Sequence, residues 1–187
     1  MAGSVTYYEG NYLAQTAVGT TGQLLQSNGA SAPSWVDRPS TYFQAYNSTS
    51  FANATGDGTF FDLILDTAGI NVGTAYSTVT GIFTAPNTGA YILGYNLILI
   101  SALITGQISS FVLWKKNGSY VNEGQSDLNP TTVSDGGQWT QGNSSMIILA
   151  AGDTLQLSVR VTGGAKNVQV YSDGTASSYI FGEFIGA

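Results

Sequence analysis

Ala90-Tyr91-Ile92-Leu93-Gly94-Tyr95-Asn96-Leu97-Ile98-Leu99-Ile100 is the stretch that decides how this chain folds. Successive side chains of an extended strand point to opposite faces, so Tyr91, Leu93, Tyr95, Leu97 and Leu99 share one face. Ile92, Ile98 and Ile100 share the other with Gly94 and Asn96. Both faces are largely apolar. The run reaches Ile104, but Gly94, Asn96 and Ser101 interrupt it and it falls short of the ~20 residues a membrane-spanning helix needs, so no membrane insertion is expected. A strand apolar on both faces in an antiparallel sandwich needs cover from outside its own domain. That cover points to self-association, with Tyr95, Leu97 and Tyr91 as the expected contacts.

Helical periodicity is hard to find on either side of this strand. Short runs rich in Thr, Val, Ile and Tyr are bounded by turn residues instead. Strands are predicted at 42–47, 59–66, 76–84, 89–100, 108–116, 119–123, 130–134, 138–149, 153–162, 167–172 and 178–185. Asn117-Gly118 supplies the positive backbone angles of a two-residue hairpin, and Asp135-Gly136-Gly137, Ala151-Gly152-Asp153 and Ser172-Asp173-Gly174 mark further turns. Leu155, Leu157 and Val159 alternate with Gln156, Ser158 and Arg160, one set for the core and one for solvent. Short strands joined hairpin to hairpin give an all-β antiparallel sandwich or barrel.

The 187 residues allow one substantial domain with a short appendage. Only 9% are charged, against about a quarter in ordinary globular proteins. The surface must therefore be built from Ser, Thr, Asn, Gln and Gly, as suits assembled, extracellular or virion proteins. The net charge is −6, and the five cations (Arg38, Lys115, Lys116, Arg160, Lys166) are scattered. No basic stripe is present to release counterions from phosphates, so nucleic acid is not an expected partner.

Cysteine and histidine are both absent, which removes disulfides, thiolate zinc sites, and Ser-His-Asp or Cys-His catalysis. Asp62 and Asp66 are the only carboxylates four apart in a predicted strand. At ~3.3 Å per residue they stand about 13 Å apart, too far for a glycosidase pair. The chain is read as a non-enzyme, and no cofactor is expected.

Five phrases then carry a resemblance. Gly81-Ile82-Phe83-Thr84-Ala85-Pro86-Asn87-Thr88-Gly89-Ala90-Tyr91-Ile92-Leu93 resembles the G-x-F-x-A-P-x-x-G-x-Y-x-F signature of the complement C1q-like and tumour-necrosis-factor-like superfamily, with Leu93 in place of the usual Phe. Phe60-Phe61-Asp62 stands where that family's preceding strand begins. Leu113-Trp114-Lys115-Lys116-Asn117-Gly118 is similar to its L-x-K-N-G hairpin with one residue inserted. Leu149 to Leu157 resembles L-x-x-G-D-x-V-x-L, and Tyr179 to Ile185 resembles the closing S-x-F-S-G-F-x-L strand. The resemblance implies a ten-stranded jelly roll that forms compact homotrimers, over residues 39–187.

Residues 19–36 resemble the G-T-x-G-Q-x-L-x-S-N-G-x-x-x-A-P-x-W module of phage tail fibres and bacterial surface fibres. Residues 1–38 are accordingly expected to form a fibre neck, too poor in apolar residues to make a core alone, with Trp35 packing between copies.

Some heads of the superfamily carry calcium near the apex, where Asp127, Asn129 and Asp135 offer oxygens. The spacing is not that of a calcium loop, and solvated loop carboxylates are the better account of these residues, so no metal is expected. Trp139 sits in the polar stretch Glu123 to Asn143 with little apolar company. A ring flanked by amides and hydroxyls can stack on a sugar, or it can cap the end of the sandwich. Trp139, Gln138, Tyr120 and Asn122 are the candidate ligand-binding residues. The reading of function is a trimeric fibre-tip adhesin or receptor-binding head, extracellular or on a virion, attaching to a surface glycan or polymer. The alternatives are a purely structural knob that caps the fibre, and a fibre-borne polysaccharide-degrading enzyme.

Overall fold

Where strands form follows from alternation and from turn residues that tolerate positive φ. The computed structural model describes residues 4–9, 12–29, 31–37, 40–101, 106–133 and 137–186. Contacts divide the chain into two compact units, Met1–Pro39 and Ser40–Ala187. In the first, β1 (Thr6–Glu9) pairs with β2 (Tyr12–Gln15), and β3 (Gln23–Asn28) with β4 (Ser31–Asp37), both antiparallel. No strand is predicted before residue 42, because these segments have too few apolar residues to show an alternation. Local chemistry shapes them instead: Gly22 takes φ 94° in a turn, and the Gln23 side chain accepts a hydrogen bond from the Thr20 amide at 2.9 Å.

The second unit runs β5 (Tyr42–Tyr46), β6 (Phe51–Thr55), β7 (Phe60–Asp62), β8 (Thr67–Val72), β9 (Tyr76–Ser77), β10 (Ile82–Thr84), β11 (Gly89–Ile100), β12 (Ser109–Lys116) and β13 (Ser119–Leu128). It continues with α1 (Pro130–Val133), β14 (Gln138–Leu149), β15 (Thr154–Thr162), β16 (Val168–Val170) and β17 (Tyr179–Gly186). Seven strands make one sheet, ordered β6-β16-β11-β17-β5-β8 with β14 on the free edge of β11. Six make the other, ordered β13-β12-β15-β10-β9 with β7 also on β15. All pairings are antiparallel. The all-β jelly-roll expectation holds, with short strands added to it.

The core lies between the sheets. Tyr91, Leu93, Tyr95, Leu97 and Leu99 come from β11, and Phe83, Val112, Trp114, Leu155, Leu157, Val159 and Val161 from the six-stranded sheet. Register fixes the ends: Gly89 faces Leu149 and Ala90 faces Gly186 at one, Ile100 faces Gln138 at the other. The first end is latched by polar bonds. Asn117, at φ 50° in the tight turn between β12 and β13, donates to Asp153 Oδ1 at 2.8 Å and accepts from the Thr154 amide at 2.8 Å.

Three expectations need correction. The segment 130–134 is not a strand: Pro130 opens a helical turn, and Asn129 Oδ1 accepts from the Thr131 amide at 3.0 Å as its cap. Residues 76–84 are two strands separated by a turn, since the Gly81 amide bonds back to Ser77 O at 2.8 Å. The strand predicted at 119–123 runs on through the polar stretch as β13, to Leu128; Asp135 and Gly136 lie outside the described residues.

Candidate functional site

Strand β11 does present two apolar faces, but the residues assigned to the outer one were the wrong set. Tyr91, Tyr95 and Leu97 point into the sandwich and are buried in the single chain. The Tyr95 hydroxyl lies 3.0 Å from Gly124 O and 3.2 Å from Val112 O, bridging to the opposite sheet, and burial pushes its pKa up to about 12. A hydroxyl committed to the core is no subunit contact. The outward set is Ile92, Ile98 and Ile100, flanked on β14 by Met146 and Ile148, each 65% exposed. Phe181 and Tyr179 of β17, Tyr42 of β5 and Ile70 of β8 extend the same face. Glu183 is the one charged side chain that the register places there.

The opposite outer face, on the six-stranded sheet, is built differently. Tyr120, opposite Lys115 in the β12–β13 hairpin, is 46% exposed, and its ring stacks on Phe60 with centroids 4.2 Å apart. Lys115 Nζ pairs with Asp62 Oδ2 at 2.5 Å, and Asp62 also accepts from the buried Ser158 hydroxyl. Desolvation, the nearby Asp62 charge and partial burial against these neighbours raise the Tyr120 pKa above its ordinary value. Beside them Arg160 holds its guanidinium 4.9 Å from the ring centroids of both Phe60 and Phe111. Here aromatic rings and fixed charges share one solvent-facing patch.

The candidate ligand residues separate. Tyr120 belongs to this patch, and Asn122 is exposed further along β13. Gln138 and Trp139 open β14 at the far end, opposite Ile100 and Leu99. Trp139 is only 3% exposed and belongs to the core cluster. It caps the sandwich and offers no sugar a ring face. What surrounds it in sequence is polar because alternate residues of β14 face out, while Trp139 faces in. Sequence reasoning missed Phe60, Phe111 and Arg160, whose juxtaposition depends on which strand lies beside β15.

Asp62 and Asp66 have separate duties, Asp66 accepting from the Ser48 amide at 2.8 Å and hydroxyl at 2.6 Å. Among the described residues no cluster of acidic side chains could hold a metal, and Asn129 is spent on its helical turn. In the first unit, Trp35 is half-buried. Its indole N–H donates to Ala17 O at 2.8 Å, and its ring walls a cleft of about 400 Å³ with Tyr7, Val18 and Pro33. No described helix is long and apolar enough to cross a membrane.

Comparison with known proteins agrees with this architecture. Murine APRIL, a tumour-necrosis-factor-family protein, superimposes at pH 8.0 with a TM-score of 0.55 and 11% identity, covering 79% of this chain and 100% of that one. Its pH 8.5 structure gives 0.54 and 10%, with the same coverage. The globular domain of zebrafish complement 1qA gives 0.49 and 12%, covering 80% and 98%. No curated protein matches the sequence. Residues 43–185, most of the second unit, match the C1q domain, and the chain belongs to that family.

Proposed function

We propose that the chain is the head of a homotrimeric attachment protein, holding its copies together through the outer face of the seven-stranded sheet and meeting its target through the six-stranded one. Domains of this kind are generally trimeric, receptor-binding and non-enzymatic. The observation that carries the reading is the uncovered apolar face of Ile92, Met146, Ile148 and Phe181. A contiguous apolar face of this extent is costly to leave in water and marks an interaction surface. A second copy suits it, since a face with one charged residue offers little for a charged partner to recognise. The first unit, two polar hairpins, serves as the neck of a fibre carried outside the cell or on a virion.

The target is a surface glycan, met by the exposed Tyr120 ring. Aromatic rings with nearby hydrogen-bonding groups hold sugars by stacking on the apolar sugar face. The test is a glycan array probed with the purified protein and with Tyr120→Ala, after light scattering has established the assembly. Three chains per particle and a saccharide signal lost in Tyr120→Ala support the reading. A monodisperse monomer at micromolar concentration ends it, and a trimer that binds no saccharide favours a structural knob.

A further inference from the structure

The guanidinium of Arg160 is held in an unusual way. Register places Arg160 directly between Phe60 on β7 and Phe111 on β12, and its Cζ stands 4.9 Å from each ring centroid. Two rings facing one guanidinium restrict its rotation and strip part of its hydration, while the ring quadrupoles supply attraction in place of a counter-ion. Its Nε is buried and has no hydrogen-bond partner among the described residues. The other cations facing this sheet or its edge are already committed: Lys115 to Asp62, and Lys116 to Asp153 at 3.0 Å. Asp62 is held by Lys115 and Ser158, and Asp127 stands opposite Phe111 on β13, one strand further from Arg160. Neither carboxylate forms an ion pair with Arg160.

We infer that Arg160 is an anion-binding residue that takes the carboxylate of an acidic saccharide, while the sugar ring stacks on the neighbouring Tyr120. This rests on the proposal that the six-stranded sheet is the contact face, and adds the ligand's charge class. A planar guanidinium matches a planar carboxylate through two parallel hydrogen bonds. A phosphate monoester, with close to two charges at neutral pH, fits less well, because Lys115 and Lys116 are already paired and leave Arg160 alone to meet it. Tyr120 stacks on Phe60, the same ring that faces the Arg160 guanidinium, and supplies the apolar platform.

The test is titration of the intact protein with oligogalacturonate, with the same oligomer fully methyl-esterified, and with a neutral oligogalactoside. Arg160→Lys keeps the charge and loses the fork, Arg160→Gln loses both, and thermal unfolding identifies the folded variants. Binding of oligogalacturonate that weakens at least tenfold on esterification and at least tenfold in Arg160→Lys supports the inference. Equal binding of acid, ester and neutral oligomer, still dependent on Tyr120, overturns the carboxylate assignment and leaves the glycan reading standing. Loss of all saccharide binding, wild type included, overturns both. If Arg160→Gln does not fold, the esterified oligomer and Arg160→Lys decide the matter alone.

Discussion

Phe181 packs against Gly94 so closely that a Cβ at position 94 would stand 2.4 Å from the ring. The two residues are register partners on β17 and β11, and the missing side chain lets the ring lie down on the sheet instead of standing up from it. On the inner side of the same strands Gly182 does the reverse, admitting Phe43 and Leu93 to within 2.5 and 2.6 Å of a Cβ there. Gly94→Ala should therefore lift Phe181 and cost about 1–3 kcal/mol by overpacking, while weakening assembly. Gly182→Ala should lower stability by a similar amount without changing the oligomeric state of the folded fraction. Thermal unfolding and light scattering on both variants separate the two outcomes.

The outer face can be tested more directly by charge. Ile92→Asp or Met146→Asp places a carboxylate where a second copy would bury it, and an unpaired buried charge is strongly unfavourable. Both residues are exposed in the single chain, so the variants should fold as monomers with unchanged β-sheet circular dichroism. Tyr95→Phe is the contrast: it removes a core hydroxyl worth about 1 kcal/mol and should leave the oligomeric state unchanged. Dissociation by Tyr95→Phe, with Ile92→Asp still trimeric, would put the interface on another surface.

The two-faced character of β11 was legible because alternation reports faces without structural input. Which face turns inward was not, since that depends on the sheet opposite. Tyr91 and Tyr95 went in because their rings pack against Phe83 and Trp114, which no local pattern announces. Hairpin register was readable where Asn117-Gly118 fixed it, placing Lys115 opposite Tyr120. The Phe60–Arg160–Phe111 row was hidden, because β7 and β15 are joined by almost a hundred residues of intervening chain. Trp139 misled because the polarity of its sequence neighbours describes the other face of the strand.

That correction yields a paired prediction. Trp139→Ala removes a core indole and should cost roughly 3–5 kcal/mol of stability, with attachment lost only as the fold is lost. Tyr120→Ala removes a stacked surface ring, a pair worth about 0.5–1.5 kcal/mol, and should abolish attachment at nearly unchanged melting temperature. In the proposed trimer, three weak sites acting together would gain about 10²–10⁴ in avidity, so losing the ring from each should be plain in adhesion assays. Tyr120→Ala particles that adhere normally would sink the site.

Acid stability should depend on Asp153. Its carboxylate accepts from the Asn117 amide, the Ala150 N–H at 2.9 Å and Lys116 Nζ, and these bonds lower its pKa from the ordinary 3.8 to about 2. A group whose pKa is depressed on folding contributes stability that is fully present above its unfolded value. The contribution is therefore complete above pH 4 and drains away as pH falls from about 4 through 2, when the folded carboxylate takes up its proton. Asp153→Asn keeps the shape and one acceptor oxygen but cannot titrate. Plotted against pH, its melting temperature should lie below wild type above pH 4, and the gap should narrow toward pH 2. A gap that stays constant across that range would mean that the Asn117–Asp153 latch contributes nothing through charge, and that the turns hold by backbone geometry alone.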